Sequence, residues 1–565
     1  MNGAVLVLGG SVIFLVAYFV YGHYLEKLFG TDDTRLTPAH TRKDGVDFVP
    51  TSPAVLFGHH FASIAGAGPI VGPILAAYFG WGAVALWVLV GCIFLGAMHD
   101  FAALFLSVRD EGRSIGHVIE RELGYTGRQI FLLFAWAALV LVDAIFALLV
   151  AKTFVATPSV ATASLLFIGM APLFGWLVYK KGLSIRMGSL IFVPLLFFFV
   201  WLGSVMPLDL TAHLGWSVET ARRFWLIILF AYVFVASTIP VWLLLQPRDY
   251  LNSYLLYAMM LIGFVGILFA RPVLSMPAFE GWVVERPAGG MGSIFPLLFV
   301  TVACGAISGF HSLVASGTTS KQLSREKHIR VVGYGSMLVE GVLALMALTA
   351  VAVLSRGDYV AALQTQGPVA TFANGLAGFA AQVGLPVSVG KTFIALAISA
   401  FMLTTLDTAT RLTRFTWQEL FLPDAKHGGR EADQKPWARL CSNRYVATGV
   451  AIGCAGYMAM SGNAMQIWPV FGASNQLLAA LTLLVVTLVL VRQHANFWVS
   501  LLPMLFMMLV CVWALVSLVI SNLKAEEINW TLVVTSAFLL VMAFVLLVRA
   551  AVAALGSAKP SHQAG

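Results

Sequence analysis

Long apolar runs separated by short polar intervals dominate the chain from end to end. Each run holds about 20 residues, enough for a helix to cross the hydrocarbon core of a bilayer. Fifteen such runs are legible, at 3–21, 53–79, 82–106, 129–155, 160–179, 187–207, 224–245, 252–270, 295–316, 334–354, 391–410, 445–461, 466–491, 497–521 and 530–552. The stretch 366–382 is apolar but short and contains Gly367, Gly375 and Gly378, which predicts a re-entrant or interfacial segment. No basic residue precedes the first run and no small-residue cleavage site follows it, so it reads as a retained helix. The pattern predicts an all-α polytopic membrane protein with about 15 transmembrane helices.

Composition agrees. The 565 residues are 59% hydrophobic and 11% charged, whereas a soluble domain carries about 25% charged residues. The net charge of +8 points to nucleic acid only if the charges form one surface, and they do not. Of the 34 Lys and Arg residues, 26 lie in the tail from Arg549 and in alternate loops beginning with 22–52. The other loops hold 6, and only Lys152 and Lys391 fall inside runs. Basic residues collect in cytoplasmic loops, which predicts an N-terminus outside (periplasmic) and a C-terminus in the cytoplasm. An odd number of spans requires the same. The five cysteines show no metal-ligand spacing, so neither a metal, a disulfide framework nor a cofactor is expected.

Two interruptions stand out. Gly58-His-His-Phe-Ala-Ser-Ile-Ala-Gly66-Ala-Gly68-Pro69-Ile-Val-Gly72-Pro73 puts two prolines and four glycines in one span. Proline removes a backbone donor and glycine loosens the helix. Backbone freed in this way inside lipid must be buried in protein or line a cavity. Transporters place substrates and coupling ions at such broken helices. A second interruption, Ala236-Ser237-Thr238-Ile239-Pro240, falls five spans later in a span of opposite direction. That spacing resembles the inverted five-helix repeats of LeuT-like (APC-type) transporters, with extra flanking helices. The expected organisation is an N-terminal extra helix and cytoplasmic loop (1–50), a first repeat (51–207), a second repeat (208–410), a cytoplasmic loop (411–444) and a four-helix extension (445–565).

Ionisable residues inside a membrane are costly and point to function. Asp143 lies mid-span, where a carboxylate needs a partner or a proton. Candidates for substrate contact are Ser63, Gly66, Gly68, Asp143, Ser237 and Thr238. Candidates for proton or ion coupling are His59, His60, Asp143, Ser308, His311 and Ser312, histidine because it titrates near neutrality. Ser308 and Ser312, four apart, are expected on one helix face. Gating candidates are Asp100, Arg248, Asp249, Glu340 and Asp407, with Arg248 and Asp249 forming a latch. Asn475 and Gln476 are expected to join helices by hydrogen bonds outside the ten-helix core.

Four long motifs carry a family resemblance. They are the run Gly58–Pro73, Leu245-Gln-Pro-Arg248-Asp249-Tyr-Leu-Asn252-Ser253, Gly309-Phe-His311-Ser312 with Ser316-Gly-Thr-Thr319, and Trp468-Pro-Val-Phe-Gly472-Ala-Ser-Asn475-Gln476-Leu477. Together they resemble the carbon starvation protein family, CstA, over most of the chain. The resemblance implies a bacterial inner-membrane importer of short peptides or pyruvate, proton-coupled, used when preferred carbon is scarce. It also implies a small YbdD-like partner protein. A channel, a starvation-signalling sensor and a sodium-coupled symporter are the alternatives. No HExxH, GxSxG or nucleophile–base pair suggests an enzyme.

Overall fold

The computed structural model describes residues 1–44, 47–240, 243–287, 289–421, 435–461, 464–525 and 528–557. The loop expected at 411–444 therefore lies partly outside the described residues.

Helix α1 (Gly3–Phe29) ends at Gly30 in the left-handed conformation, φ +65°. A short α2 (Pro38–Thr41) precedes the first interrupted span, α3 (Pro53–Ile64) and α4 (Gly68–Ala76). The two halves bend by 44° at the break. The next span joins α5 (Trp81–Val90) to α6 (Ala97–Arg109) through a π-helical turn at Gly91–Gly96. α7 (Ile115–Ala156) kinks at Gly124 and then runs unbroken. α8 (Pro158–Tyr179) and α9 (Ile185–Val205) form a hairpin. α10 (Leu210–Leu214), α11 (Val218–Thr238) and α12 (Leu245–Ala270) follow. A two-stranded hairpin, β1 (Val283–Glu285) with β2 (Met291–Ser293), leads to α13 (Ile294–Val302) and α14 (Gly309–Gly317). Then come α15 (Gly335–Ala352), entered through a π-helical turn at Arg330–Tyr334, and α16 (Arg356–Thr365) and α17 (Gly367–Ala380). The chain continues with α18 (Val387–Leu420), α19 (Pro436–Cys441), α20 (Arg444–Ser461), α21 (Ala464–Arg492), α22 (Trp498–Leu523) and α23 (Trp530–Ser557).

Among the described residues, 13 helical stretches are long and apolar enough to cross a membrane, and the bent pair α3–α4 makes 14. The central helices bury nearly all their side chains, and the peripheral ones turn apolar faces outward. Phe19 of α1, Leu190 and Trp201 of α9, Leu502 and Trp513 of α22 and Phe544 of α23 are all exposed. Such faces suit lipid, which asks for no charge.

The two loop sets separated by charge meet at opposite ends of the bundle. At one end Arg109 binds Glu326 at 2.8 Å, Lys327 binds Asp33 at 2.8 Å, and Arg330 binds Glu26 at 3.0 Å. Arg42 pairs there with Glu111, Arg492 reaches Glu122 at 2.8 Å, and Ser114 donates to Glu419 at 3.0 Å. At the other end the Gly3 N–H donates to Pro272, Ser275 to Ala352, and Glu280 to Phe79.

Two sequence expectations need correction. The interruption at Ala236–Pro240 is not inside a span, because α11 ends at Thr238 and α12 begins at Leu245. The guanidinium of Arg411 donates to the carbonyls of Ala236 (2.8 Å) and Ile239 (2.7 Å) and caps that end. The second mid-span break is instead in span nine, between α13 and α14. Ala303 turns the chain at φ +43°, a conformation that costs a non-glycine residue about 1–3 kcal/mol. Ser308, extended at φ −141°, precedes α14. Ser308 and Ser312 therefore do not share a helix face. The segment 366–382 is also sharper than expected. Its helix α17 packs on α4, α12 and α18.

The backbone freed at the second break is held by α21. Asn475 accepts the Phe310 N–H at 2.8 Å and donates to Ser308 Oγ at 3.0 Å. Gln476 donates to the Phe299 carbonyl at 2.9 Å, and the Trp468 indole to that of Thr301 at 3.0 Å. Gly472 allows the approach, since a Cβ there would strike the Val300 carbonyl. Gly72 does the same for α4 against the carbonyl of Val302. Asn475→Leu removes the acceptor of a buried N–H, which costs about 1–3 kcal/mol. The expected result is a lowered thermal midpoint in detergent, larger than for Asn522→Leu at the rim. An equal midpoint for the two would show that α21 does not support the break.

Candidate functional site

The two broken spans face each other near the middle of the bundle, and they run in opposite directions. α3–α4 rises from the basic end, where Thr51 bridges to Leu323, and α13–α14 descends toward it. α4 packs on α13 and on the 3-10 turn Ala303–Gly305. Gly68 touches Cys304, and Gly66 touches the Thr405 hydroxyl of α18. The N-terminal ends of α4 and α14 both open at the breaks. Helix N-termini carry unpaired N–H groups and partial positive charge, suited to an anion.

One cluster of ionisable groups lies beside these breaks, on α3, α6, α14 and α15. Asp100 accepts from His99 Nδ1 and His311 Nδ1, each at 2.8 Å. His311 Nε2 lies 3.6 Å from Glu340 Oε2. His60 Nδ1 meets Thr319 Oγ1 at 2.8 Å. All four histidine and carboxylate side chains of the His99–Asp100–His311–Glu340 chain are fully buried. His99 and His311 hold Asp100, and Arg109 goes to Glu326.

A second cluster lies toward the basic end. Arg248 and Asp249 were expected to pair with each other as a latch, but they turn to different partners. Arg248 binds Asp407 and the hydroxyl of Tyr232, and Tyr232 donates to Asp407 at 2.7 Å. Asp249 lies 3.4 Å from His59 Nδ1. Asn252 donates to Thr404. These contacts join α11, α12 and α18, and His59 brings in α3.

Asp143 stands apart from both clusters. Its carboxyl group is buried between α7 and α18 and contacts the hydroxyls of Thr410 (3.1 Å) and Thr413 (2.9 Å). Both hydroxyls also reach their own helix carbonyls at 2.8 Å. An ionised carboxylate held by two neutral hydroxyls in an apolar interior is expensive, so the geometry favours a proton on Asp143.

The remaining candidates scatter. Ser63 donates to the His59 carbonyl at 2.8 Å within its own helix. Ser312 donates to the Gly309 carbonyl and meets Thr482 of α21 at 3.2 Å. Ser237 lies 3.4 Å from Thr448, and Thr238 donates to its own helix. The last two lie at the basic end of α11, away from the breaks.

A cavity of about 370 Å³ enters from the basic end between α7, α14 and α18. Phe131, Ala135, Leu313 and Leu412 form its apolar wall, while Arg42, Arg113, His117, Arg128 and Lys321 outnumber Asp47 and Glu419 around it. Ala135 is two turns, about 12 Å, from Asp143 along α7. At the opposite end α16 and α17 lie over the bundle. Buried Tyr359 donates there to the Ile74 carbonyl of α4 at 2.7 Å.

The sequence reading missed Tyr232, Thr410, Thr413 and Arg411. The six threonines between Thr404 and Thr416 around Asp407 were a visible signal. Nothing local marked Tyr232, whose part depends on a partner 175 residues away.

Comparison with known proteins agrees with the motif resemblance. The family model described as carbon starvation protein CstA matches residues 2–363 and 360–514. The peptide transporter CstA of Helicobacter pylori is 35% identical over 548 residues, covering 87% of this chain and 78% of the relative. The peptide transporter CstA of Bacillus subtilis is 32% identical over 590 residues, covering 97% and 96%. The pyruvate/proton symporter BtsT of Escherichia coli is 32% identical over 595 residues, covering 90% and 81%. Among solved structures, a mutant manganese transporter of Eremococcus coleocola superposes with a TM-score of 0.50 at 11% identity, covering 91% of this chain and 98% of that one, a likeness of fold alone. This multi-pass membrane protein belongs to the carbon starvation protein CstA family.

Proposed function

We propose that the protein imports a small carboxylate-bearing nutrient, pyruvate or a short peptide, across the bacterial inner membrane during carbon shortage, driven by protons through alternating access. The observation that carries this reading is the antiparallel pair of broken spans, with two helix N-termini opening between them. A carboxylate is common to both cargoes and suits those termini. The printed names of the relatives, peptide transporter and pyruvate/proton symporter, support both cargo classes and the proton. A small YbdD-like protein remains the proposed partner.

The inverted repeat is proposed with a new partition in place of 51–207 and 208–410. The first unit is α3–α4, α5–α6, α7, α11 and α12. The second is α13–α14, α15, α18, α20 and α21. Each unit opens with a broken span, and its second span carries a π-helical turn. The third spans, α7 and α18, are the longest helices and lie along each other. The fifth span of each unit packs on the broken span of its own unit, α12 on α3 and α21 on α14. α8–α9 and α16–α17 are then insertions, and α1, α22 and α23 flank the core.

Fifteen crossings follow if α20 is counted. Its 18 residues rise about 27 Å. It begins near the basic end, and α21 reaches Thr301 with Trp468 and ends at Glu122 with Arg492. The basic end is then cytoplasmic. In this conformation α16–α17 seal the outer end and the cavity opens inward. Ser63, Gly66, Gly68 and Asp143 line the proposed cargo path; Ser237 and Thr238 find less support there. Arg248–Asp407 and His59–Asp249 act as the inner gate.

One observation favours the sodium-coupled alternative. Among the described residues Thr405 Oγ1 is buried against the first break without a hydrogen-bond partner, and unwound carbonyls with hydroxyls suit sodium.

Reconstitution in liposomes decides between these. With labelled pyruvate and labelled dialanine, an inward proton gradient is expected to drive accumulation above the outside level, and a sodium gradient alone is not. No accumulation under any gradient defeats the importer reading. Arg248→Gln should lower the thermal midpoint sharply, since an unpaired buried carboxylate costs about 3–5 kcal/mol. Adding Asp407→Asn should recover the midpoint without recovering driven uptake. Recovery of uptake would remove the pair from the gate.

A further inference from the structure

Proton counting around His311 goes one step beyond the proposed coupling and rests on it. The imidazole is held between two carboxylates, Asp100 on one ring nitrogen at 2.8 Å and Glu340 on the other at 3.6 Å. Asp100 is satisfied twice, because His99 Nδ1 donates to its other oxygen. Glu340 is not satisfied: among the described residues neither of its oxygens has a hydrogen-bond partner, and His311 Nε2 has no side-chain partner. The gap of 3.6 Å is too long for a hydrogen bond.

The charge states follow. A neutral imidazole that donates to Asp100 turns a bare lone pair toward Glu340. If Glu340 were ionised as well, two acceptors would face each other inside the protein, and a buried carboxylate would have no donor. That combination carries the full penalty of an uncompensated buried charge. Either Glu340 is protonated beside a neutral imidazole, or His311 is an imidazolium beside an ionised Glu340. Both states hold the same single proton. The wide gap and the partnerless oxygens match the first.

The Ile64 carbonyl at the first break also faces His311, an acceptor that brings no proton, and the other groups within reach do not change the count. His60 on α3 bonds Thr319. The Cys92 thiol donates to the Gly305 carbonyl at 3.0 Å, and that of Cys304 to Ser308 at 3.5 Å. No lysine or arginine is paired with Glu340 among the described residues.

We infer that Glu340 holds the coupling proton and passes it to His311. In the step, the Oε–H bond of Glu340 breaks and an Nε2–H bond forms on His311. The products are a carboxylate and an imidazolium, an ion pair that contracts the 3.6 Å gap to hydrogen-bond length. Asp100 is the next acceptor, on the far ring nitrogen. Glu340 is carried by α15, and His311 lies two residues into α14, beside the second break. Moving the proton therefore pulls the second break against α15, which couples proton occupancy to the shape of the cargo site.

The test uses the full chain, native and Glu340→Gln, in liposomes with labelled pyruvate and labelled dialanine. Glutamine keeps the shape of the protonated acid but cannot release a proton. Glu340→Gln is expected to lose gradient-driven accumulation while cargo counterflow persists. Infrared difference spectra between acid and alkaline pH are expected to show a protonated-carboxyl band that Glu340→Gln abolishes and Asp143→Asn retains. Native-level driven accumulation by Glu340→Gln overturns the inference. So does survival in Glu340→Gln of the band that Asp143→Asn retains, and this spectrum decides the matter if the variant loses counterflow too. Absence of uptake by the native protein would count against the importer reading alone, because the band reports on Glu340 without cargo.

Discussion

A helix broken inside a bilayer leaves amides and carbonyls that water cannot reach, and each needs a partner from the protein itself. Much of this architecture answers that need at the second break. Asn475, Gln476 and Trp468 on α21 supply donors and acceptors to Phe310, Ser308, Phe299 and Thr301. Close packing is equally necessary, and Gly72 and Gly472 bring backbone against backbone where any side chain would intrude. Once that framework is in place, α4 begins against Cys304 of the second break and α14 begins against α21. The pocket chemistry is a consequence of how the breaks are supported.

Charge obeys a parallel constraint and divides the molecule. Asp100, His99, His311 and Glu340 belong to α6, α14 and α15. Arg248 and Asp249, Tyr232 and Asp407 belong to α12, α11 and α18. These are two sets of helices, and the contact between His59 of α3 and Asp249 of α12 links them at 3.4 Å. That link includes a partly exposed histidine. In the proposed cycle the two sets move against each other, so their shared contact is where a gate must yield. A buried ion pair such as Arg248–Asp407 is a poor source of stability, and its value here lies in fixing one arrangement of α11, α12 and α18.

Most of the spans, their charge-sorted ends and the first break were legible in the sequence. Apolar length and loop charge are local properties, and the glycines and prolines of 58–73 advertise a break. The second break was displaced to Ala236–Pro240 because Pro240 is a strong local signal. The true break turns on Ala303 at φ +43° and contains no proline; tertiary packing enforces it. Partner identity was also out of reach. Arg248 lies next to Asp249 in sequence, yet the helix directs it to Asp407, 159 residues away. Asn475 and Gln476 were read as residues that join helices, and they do bond α21 to the second break.

Family membership points to a transporter, and the central claim is that cargo occupies the space between the two breaks. Native Cys304 provides the probe, since it lies on the second break against Gly68 of the first. With Cys92, Cys441, Cys454 and Cys511 replaced by serine, the rate of Cys304 alkylation by a small maleimide should fall as pyruvate or dialanine is added. The concentration dependence should match that of uptake. An alkylation rate unchanged at cargo concentrations that saturate uptake would place the cargo elsewhere and contradict the account.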